Sequence, residues 1–164
     1  MARTIIGVMG GGESAPESAI RDAYRLGELI AGAGWVLLCG GRGAGVMDAA
    51  ARGAQSRGGL TVGVLPDKDT RGASAHLDIS IVTGMGSARN VINVLSSDVV
   101  IACGGGAGTL SEVALALKHA RPVILLNFDL GGLLGEYRER GLLHDAATPE
   151  EAVQIARRLL GETL

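Results

Sequence analysis

Aromatic residues are almost absent from this 164-residue chain: one Trp, two Tyr and one Phe, 2% of the total. That scarcity excludes a stacking platform for single-stranded nucleic acid. The net charge is −2 with His neutral, so there is no basic field for a duplex either. Only two cysteines occur, Cys39 and Cys103, too few for a disulfide framework. No apolar run reaches the ~18 residues of a membrane span. The opening MARTIIGVMGGG enters a strand-like run without the longer apolar core of a secretory leader. His76, His119 and His144 stand isolated, so no metal site is expected. Together these absences predict a cytoplasmic protein with no nucleic-acid and no membrane partner.

Glycine is what the chain has in excess, with 27 residues, more than twice the usual ~7%. The glycines form short clusters after apolar runs, where a backbone must turn sharply or approach a ligand closely. Runs of strand length recur at TIIGVM (4–9), WVLLC (35–39), LTVGVL (60–65), ISIVT (79–83), VVIAC (99–103) and PVILLN (122–127). They mostly lack polar alternation, the pattern of strands buried on both faces of a parallel sheet. Between them lie segments of helical period. In the first, Ala19, Ala23, Leu26 and Ile30 form one stripe, with Pro16 at the start and Gly32 or Gly34 at the end. In the last, Thr148 and Glu151 form a capping-box pattern. Strands alternating with helices predict an α/β fold: one doubly wound, mostly parallel sheet with helices on both faces, spanning 1–164 as a single domain.

Three strands run into glycine clusters, VMGGGESA, LLCGGRGAGVMD and IACGGGAGTLSE. In a doubly wound sheet all three lie on the carboxyl edge, where ligands bind at the reversal of strand order. The dinucleotide fingerprint G-x-G-x-x-G does not occur, and Cys39 closes the second strand where an acidic residue would grip a ribose. G-x-x-x-x-G-K-[ST] is absent as well. What remains is backbone N–H groups at helix N-termini, which suit a monophosphate or another small anion. Cys39 and Cys103 end equivalent strands. With the usual strand order the first strand separates them by ~10 Å, beyond disulfide reach, so they are expected to be buried thiols.

Glu112 has two readings from its neighbours. With Thr109 as N-cap it is the last member of a capping box and serves the helix alone. Alternatively it is a carboxylate aimed at a ligand. The segment GMGSARNVINVLSSD supplies a partner. Its apolar positions Ala88, Val91, Ile92 and Leu95 are expected to face the sheet, while Arg89 and Asn93 share another face with Asn90 adjacent. Arg89 is then either an exposed helix arginine or the partner of a phosphate or of Glu112.

GMGSARN followed by CGGGAGTLSE resembles the M-x-x-R-K and P-G-G-x-G-T-x-x-E pair of the LOG (Lonely Guy) family. Proteins of that family are often labelled lysine decarboxylases and include phosphoribohydrolases that release cytokinin bases from nucleotide monophosphates. CGGRGAGVMDAAARGA likewise resembles the family's G-G-G-x-x-G-L-M-G segment, and the likeness runs from GVMGGG to PVILLN. The resemblance implies a Rossmann-like domain with Arg89 and Glu112 as the catalytic pair if the chain is an enzyme. Glu112 would stabilise cationic charge on the ribose or orient water, and Arg89 would position the carboxylate or the phosphate. Gly105, Gly106, Gly108 and Thr109 would hold the phosphate. Gly11, Gly12, Gly41, Gly43, Gly45, Met85 and Asn90 complete the implied ligand-binding set.

Two departures from the family pattern stand out: Asn90 occupies the lysine position and Cys103 the proline position. They draw the chain towards a sister branch that includes molybdenum cofactor carrier proteins, which bind a phosphate-bearing pterin without turning it over. The expectation is therefore a binding protein for a nucleotide monophosphate or the molybdenum cofactor, at the C-terminal edge of the sheet. The alternative is a phosphoribohydrolase cleaving an N-glycosidic bond. No cofactor is expected to be required, and the molybdenum cofactor would be cargo. Lysine decarboxylation has no support, since Lys68 lies in a loop and Lys118 near a helix C-terminus. The resemblance implies a homodimer or higher homo-oligomer, in keeping with the broadly apolar LSEVALALKHA. The polar loop 66–78 is expected either to lie over the site or to connect strands.

Overall fold

The apolar runs become strands of one sheet. The structure, a computed structural model, describes residues 2–162. In chain order its elements are β1 (Ile5–Gly10), α1 (Glu17–Gly32), β2 (Val36–Cys39), α2 (Gly45–Ser56), β3 (Thr61–Leu65), β4 (Ile79–Val82), a 3₁₀ turn (Gly86–Ala88), α3 (Arg89–Leu95), β5 (Val99–Cys103), α4 (Ala107–Lys118), β6 (Val123–Leu126), α5 (Gly135–Glu139), β7 (Leu143–Ala146) and α6 (Pro149–Leu159). The strand order is β4-β3-β2-β1-β5-β6-β7, and every pairing is parallel. β7 and the short α5 add to the elements read from the sequence. LHDA carries too little apolar pattern to announce a strand.

The sheet is covered on both faces. Residues of α1, α2 and α6 pack with Ile6, Val8, Leu37, Ile101 and Ile124 on one side. Residues of α3, α4 and α5 pack with Met9, Leu38, Val100, Ala102 and Leu125 on the other. β2, β5 and β6 are buried along their whole length, as unalternating runs should be. β4 is the exception. All four of its residues are exposed, in keeping with its place at the edge of the sheet.

The helix α1 buries Ala23, Leu26 and Ile30, and Gly34 follows its end in the left-handed conformation at φ 75°. It meets α2 at unusually close range. A Cβ on Gly27 would stand 2.1 Å from the Ala50 carbonyl oxygen, and one on Gly53 would stand 2.0 Å from that of Tyr24. α6 is capped as its sequence predicts: the Glu151 N–H donates to Thr148 Oγ1 at 3.1 Å, and Glu151 Oε2 accepts from the Ala147 N–H at 2.8 Å.

Two helices depart from expectation. α4 starts at Ala107 with Gly106 as its cap and without a side-chain cap, so Thr109 and Glu112 form no capping box. The chain enters this helix through Gly104 and Gly105, at φ 66° and 131°, and the first intrahelical bond runs from the Leu110 N–H to the Gly106 carbonyl. α3 turns Asn90, Asn93 and Val94 inward, leaving Ala88 exposed and Leu95 42% exposed. Of the expected apolar face of Ala88, Val91, Ile92 and Leu95, Ile92 packs partly buried against the core, whereas Ala88 and Leu95 are exposed. Hydrogen bonds to α4 set its rotation instead.

Candidate functional site

Strand order reverses between β1 and β5, the neighbours whose following helices lie on opposite faces of the sheet. A cleft opens there by topology alone. A cavity of about 240 Å³ occupies it, walled by Gly10 at the end of β1 with Gly11 and Gly12 beyond it, Gly40 after β2, and Gly106, Gly108, Thr109 and Glu112 after β5. Met9, Ser14, Met47, Arg89 and Asn90 complete the wall.

The glycines of this rim differ in what requires them. Gly104 and Gly105 need their backbone angles. Gly45 needs its small size, since a Cβ would fall 2.1 Å from the Gly12 carbonyl oxygen. Gly12, Gly106 and Gly108 have neither need: their φ angles are not in the left-handed region and a Cβ would meet nothing within 4 Å. A missing side chain at those positions leaves the backbone open to whatever enters the cavity. At the start of α4 the N–H groups of Ala107, Gly108 and Thr109 precede the first intrahelical bond and carry the positive end of the helix dipole.

Glu112 lies on the next turn of α4 and is 6% exposed. Its Oε1 accepts from Asn93 Nδ2 at 2.9 Å, while Asn93 Oδ1 has no partner among the described residues although Asn93 is wholly buried. Burial pushes the Glu112 carboxyl above its ordinary range, against the opposing pull of the Asn93 hydrogen bond and the Arg89 charge. Arg89 is half-buried and held at three points. Its Nε donates to the Val64 carbonyl at 2.9 Å, Nη2 to the Gly40 carbonyl at 3.2 Å, and Nη1 to Asn90 Oδ1. Burial lowers its pKa, Glu112 raises it and the neighbouring Arg42 lowers it further. Asn90 Nδ2 in turn donates to Ser111 Oγ at 3.0 Å, and Ser111 Oγ donates to the Gly108 carbonyl at 2.6 Å. One chain of hydrogen bonds thus ties the Arg89 guanidinium to the first turn of α4. A buried carboxyl with a raised pKa that shares a cleft with an anchored guanidinium marks a candidate functional site.

The cavity brings together Gly11, Gly12, Arg89, Asn90, Gly106, Gly108, Thr109 and Glu112. Other members of the implied set lie elsewhere. Gly41 and Gly43 bond to the following loop, through Ser74 N–H to Gly41 O and Gly43 N–H to Gly72 O. Gly45 carries the close packing of α2 against the β1 loop. Gly105 faces a separate hollow beside Asn127 and Asp22, and Met85 is exposed outside the cavity. Reading by residue type missed Met9, Gly10, Ser14, Gly40 and Met47. Gly10 and Gly40 are the first glycines of their clusters, a signal that was present, whereas Met9 and Met47 read as core. Cys39 and Cys103 flank β1 as free buried thiols, pushed up by burial to about 11 and about 12.

An all-parallel sheet with a glycine-walled cleft at its switch point defines a Rossmann-like α/β fold, and the buried carboxylate and anchored guanidinium in that cleft make it the candidate site. The chain belongs to the SLOG cluster4 family, whose model matches residues 3–153. The molybdenum cofactor binding protein of the phototrophic bacterium Rippkaea orientalis superposes with a TM-score of 0.92 at 53% identity, over 98% of this chain and 99% of that one. The molybdenum cofactor carrier protein of Chlamydomonas reinhardtii gives 0.90 at 46% identity, over 98% and 100%. More distant is the cytokinin riboside 5′-monophosphate phosphoribohydrolase of Mycobacterium tuberculosis, 35% identical over 64% of this chain and 60% of that protein.

Proposed function

We propose that this chain is a carrier that binds the molybdenum cofactor, or a closely similar phosphate-bearing small molecule, in the cleft between β1 and β5. The observation that carries this reading is Asn90. Where the hydrolase pattern of the family has a second cation, this chain has an amide consumed by Arg89 and Ser111. The site keeps one anchored positive charge and a helix N-terminus, enough to hold a phosphate. Gly106, Gly108 and Thr109 would hold the phosphate through their backbone, with Gly11 and Gly12 forming the opposite wall and Arg89 supplying charge. The grip described here falls on the phosphate, through the start of α4 and the Arg89 charge. The cofactor is cargo here, and the protein's own part is to orient it and shelter it from solvent.

The test is the ligand retained when the protein is purified from a host that makes the cofactor, identified by mass spectrometry. A molybdopterin in stoichiometric amount is the expected result. Protein that retains none, and takes up none when mixed with the released cofactor, would overturn the carrier reading.

A second reading has its own observation: the Glu112 carboxyl, raised by burial and set beside Arg89, is poised for N-glycosidic hydrolysis. Incubation with AMP and related monophosphates decides it. Free base that disappears in Glu112→Ala would establish the hydrolase. Both readings place the molecule in the cytoplasm as a homodimer or larger assembly, and a sedimentation profile showing only monomer would refute the latter.

A further inference from the structure

The cleft has a second compartment. A cavity of about 290 Å³ adjoins the first and shares Arg89, Asn90 and Gly108 with it, its outer wall being Arg42, Pro66, Gly86 and Ser87. The two hollows thus share three residues, with Arg89 lining both and Arg42 lining the outer one.

Arg42 has no strong structural employment. Its guanidinium meets Asp67 at 3.0 Å, but the two side chains are 51% and 40% exposed, and a solvated pair of this kind contributes little. Its backbone, by contrast, is held in place. Arg42 bridges to Ala73, and the adjoining Gly41 and Gly43 bond to Ser74 and Gly72. The segment after β2 is therefore tied to the loop 66–78, and Arg42 projects from an anchored backbone. Arg42 also lies near enough to Arg89 to disfavour its charge. Two like charges set across one cavity oppose each other when it is empty of anions, and an anion between or beside them removes the opposition.

We propose that the site takes a small molecule with anionic groups at two ends, one at the start of α4 and the second in the outer compartment against Arg42. This rests on the binding reading above and narrows its ligand class. A phosphate ester whose far end carries a second oxyanion fits, and a singly anionic phosphate ester leaves Arg42 unused. Arg42 is then the residue that selects for the second charge.

The two claims separate in one titration. Inorganic phosphate is added to ¹⁵N-labelled protein and the backbone amides are followed by NMR. The binding reading expects saturable shifts at Gly106, Gly108 and Thr109. The further inference expects a second saturable set at Arg42, Gly86 and Ser87. Arg42→Gln should weaken the second set by about tenfold, the loss of one charge-assisted contact, and Arg42→Lys should restore part of it. Shifts at the α4 glycines without a second set would overturn the two-anion site and leave the binding reading standing. A second set undiminished in Arg42→Gln, or weakened no more than the first, would also overturn it. No saturable shift at either set refutes both.

Discussion

Replacing Glu112 by Gln should make the protein more stable, and increasingly so as pH rises. The carboxylate is 6% exposed and, among the described residues, accepts one hydrogen bond, from Asn93. Its pKa is raised although both Asn93 and Arg89 pull it down. The surroundings as a whole therefore disfavour the charge, with desolvation outweighing both partners. Gln keeps the volume and the acceptor for Asn93 and removes the charge, while Arg89 retains the carbonyls of Val64 and Gly40 and the side chain of Asn90. Relief of this kind at a functional site stabilises by about 0.5–2 kcal/mol, or about 2–6 °C in Tm for a chain of this length.

The sign follows from proton linkage. An acid with a raised pKa in the native state binds its proton more tightly there, so the wild type loses stability as pH rises from the ordinary carboxylate range through the raised value. The gap between Gln and wild type should be smallest at or below the ordinary carboxylate range, about pH 4, and should widen as pH rises above it. Urea unfolding followed by fluorescence reads this directly, because Trp35 is the one tryptophan, 4% exposed, with Nε1 donating to Glu162 at 2.9 Å. A variant less stable than wild type at the higher pH, or a gap that does not close in acid, would show that the site stabilises the ionised carboxylate and would refute the reasoning.

Gly27→Ala should cost about 3 kcal/mol, since the new Cβ would lie 2.1 Å and 2.7 Å from backbone atoms of Ala50 and Ala54; Gly32→Ala, with nothing within 4 Å, should be neutral or slightly stabilising, and equal effects in urea melts would contradict the close helix contact. Thr148→Ala removes the cap that Thr148 Oγ1 gives to the Glu151 N–H and should lower stability by about 1 kcal/mol, a loss that calorimetry would detect or deny. Iodoacetamide at about pH 8 should leave the native thiols untouched, because burial raises Cys39 to about 11 and Cys103 to about 12; mass spectrometry showing either alkylated before unfolding would disprove it.

Much of this architecture is legible in residue order. Unalternating Val- and Ile-rich runs announce a buried parallel sheet, the glycine clusters mark one rim of it, and Thr148 with Glu151 announces the start of α6. Arg89, Glu112 and the α4 glycines are named by motif alone. The errors have a common cause. Thr109 and Glu112 match a capping box by spacing, yet α4 begins two residues before Thr109 because Gly104 and Gly105 turn the chain earlier. The apolar positions of α3 match an amphipathic helix, yet Asn90 and Asn93 face inward because Ser111 and Glu112 are there to meet them.

The sequence by itself determined the fold class and the edge of the sheet on which the glycine clusters lie, since periodicity and local backbone chemistry act over a few residues at a time, and its motifs carried the family resemblance. Only the tertiary structure decided which glycines wall the cavity, which way α3 turns, and that Arg42 stands across a second compartment from Arg89. Those outcomes depend on pairings between segments far apart in the chain, whose free energies no single segment contains.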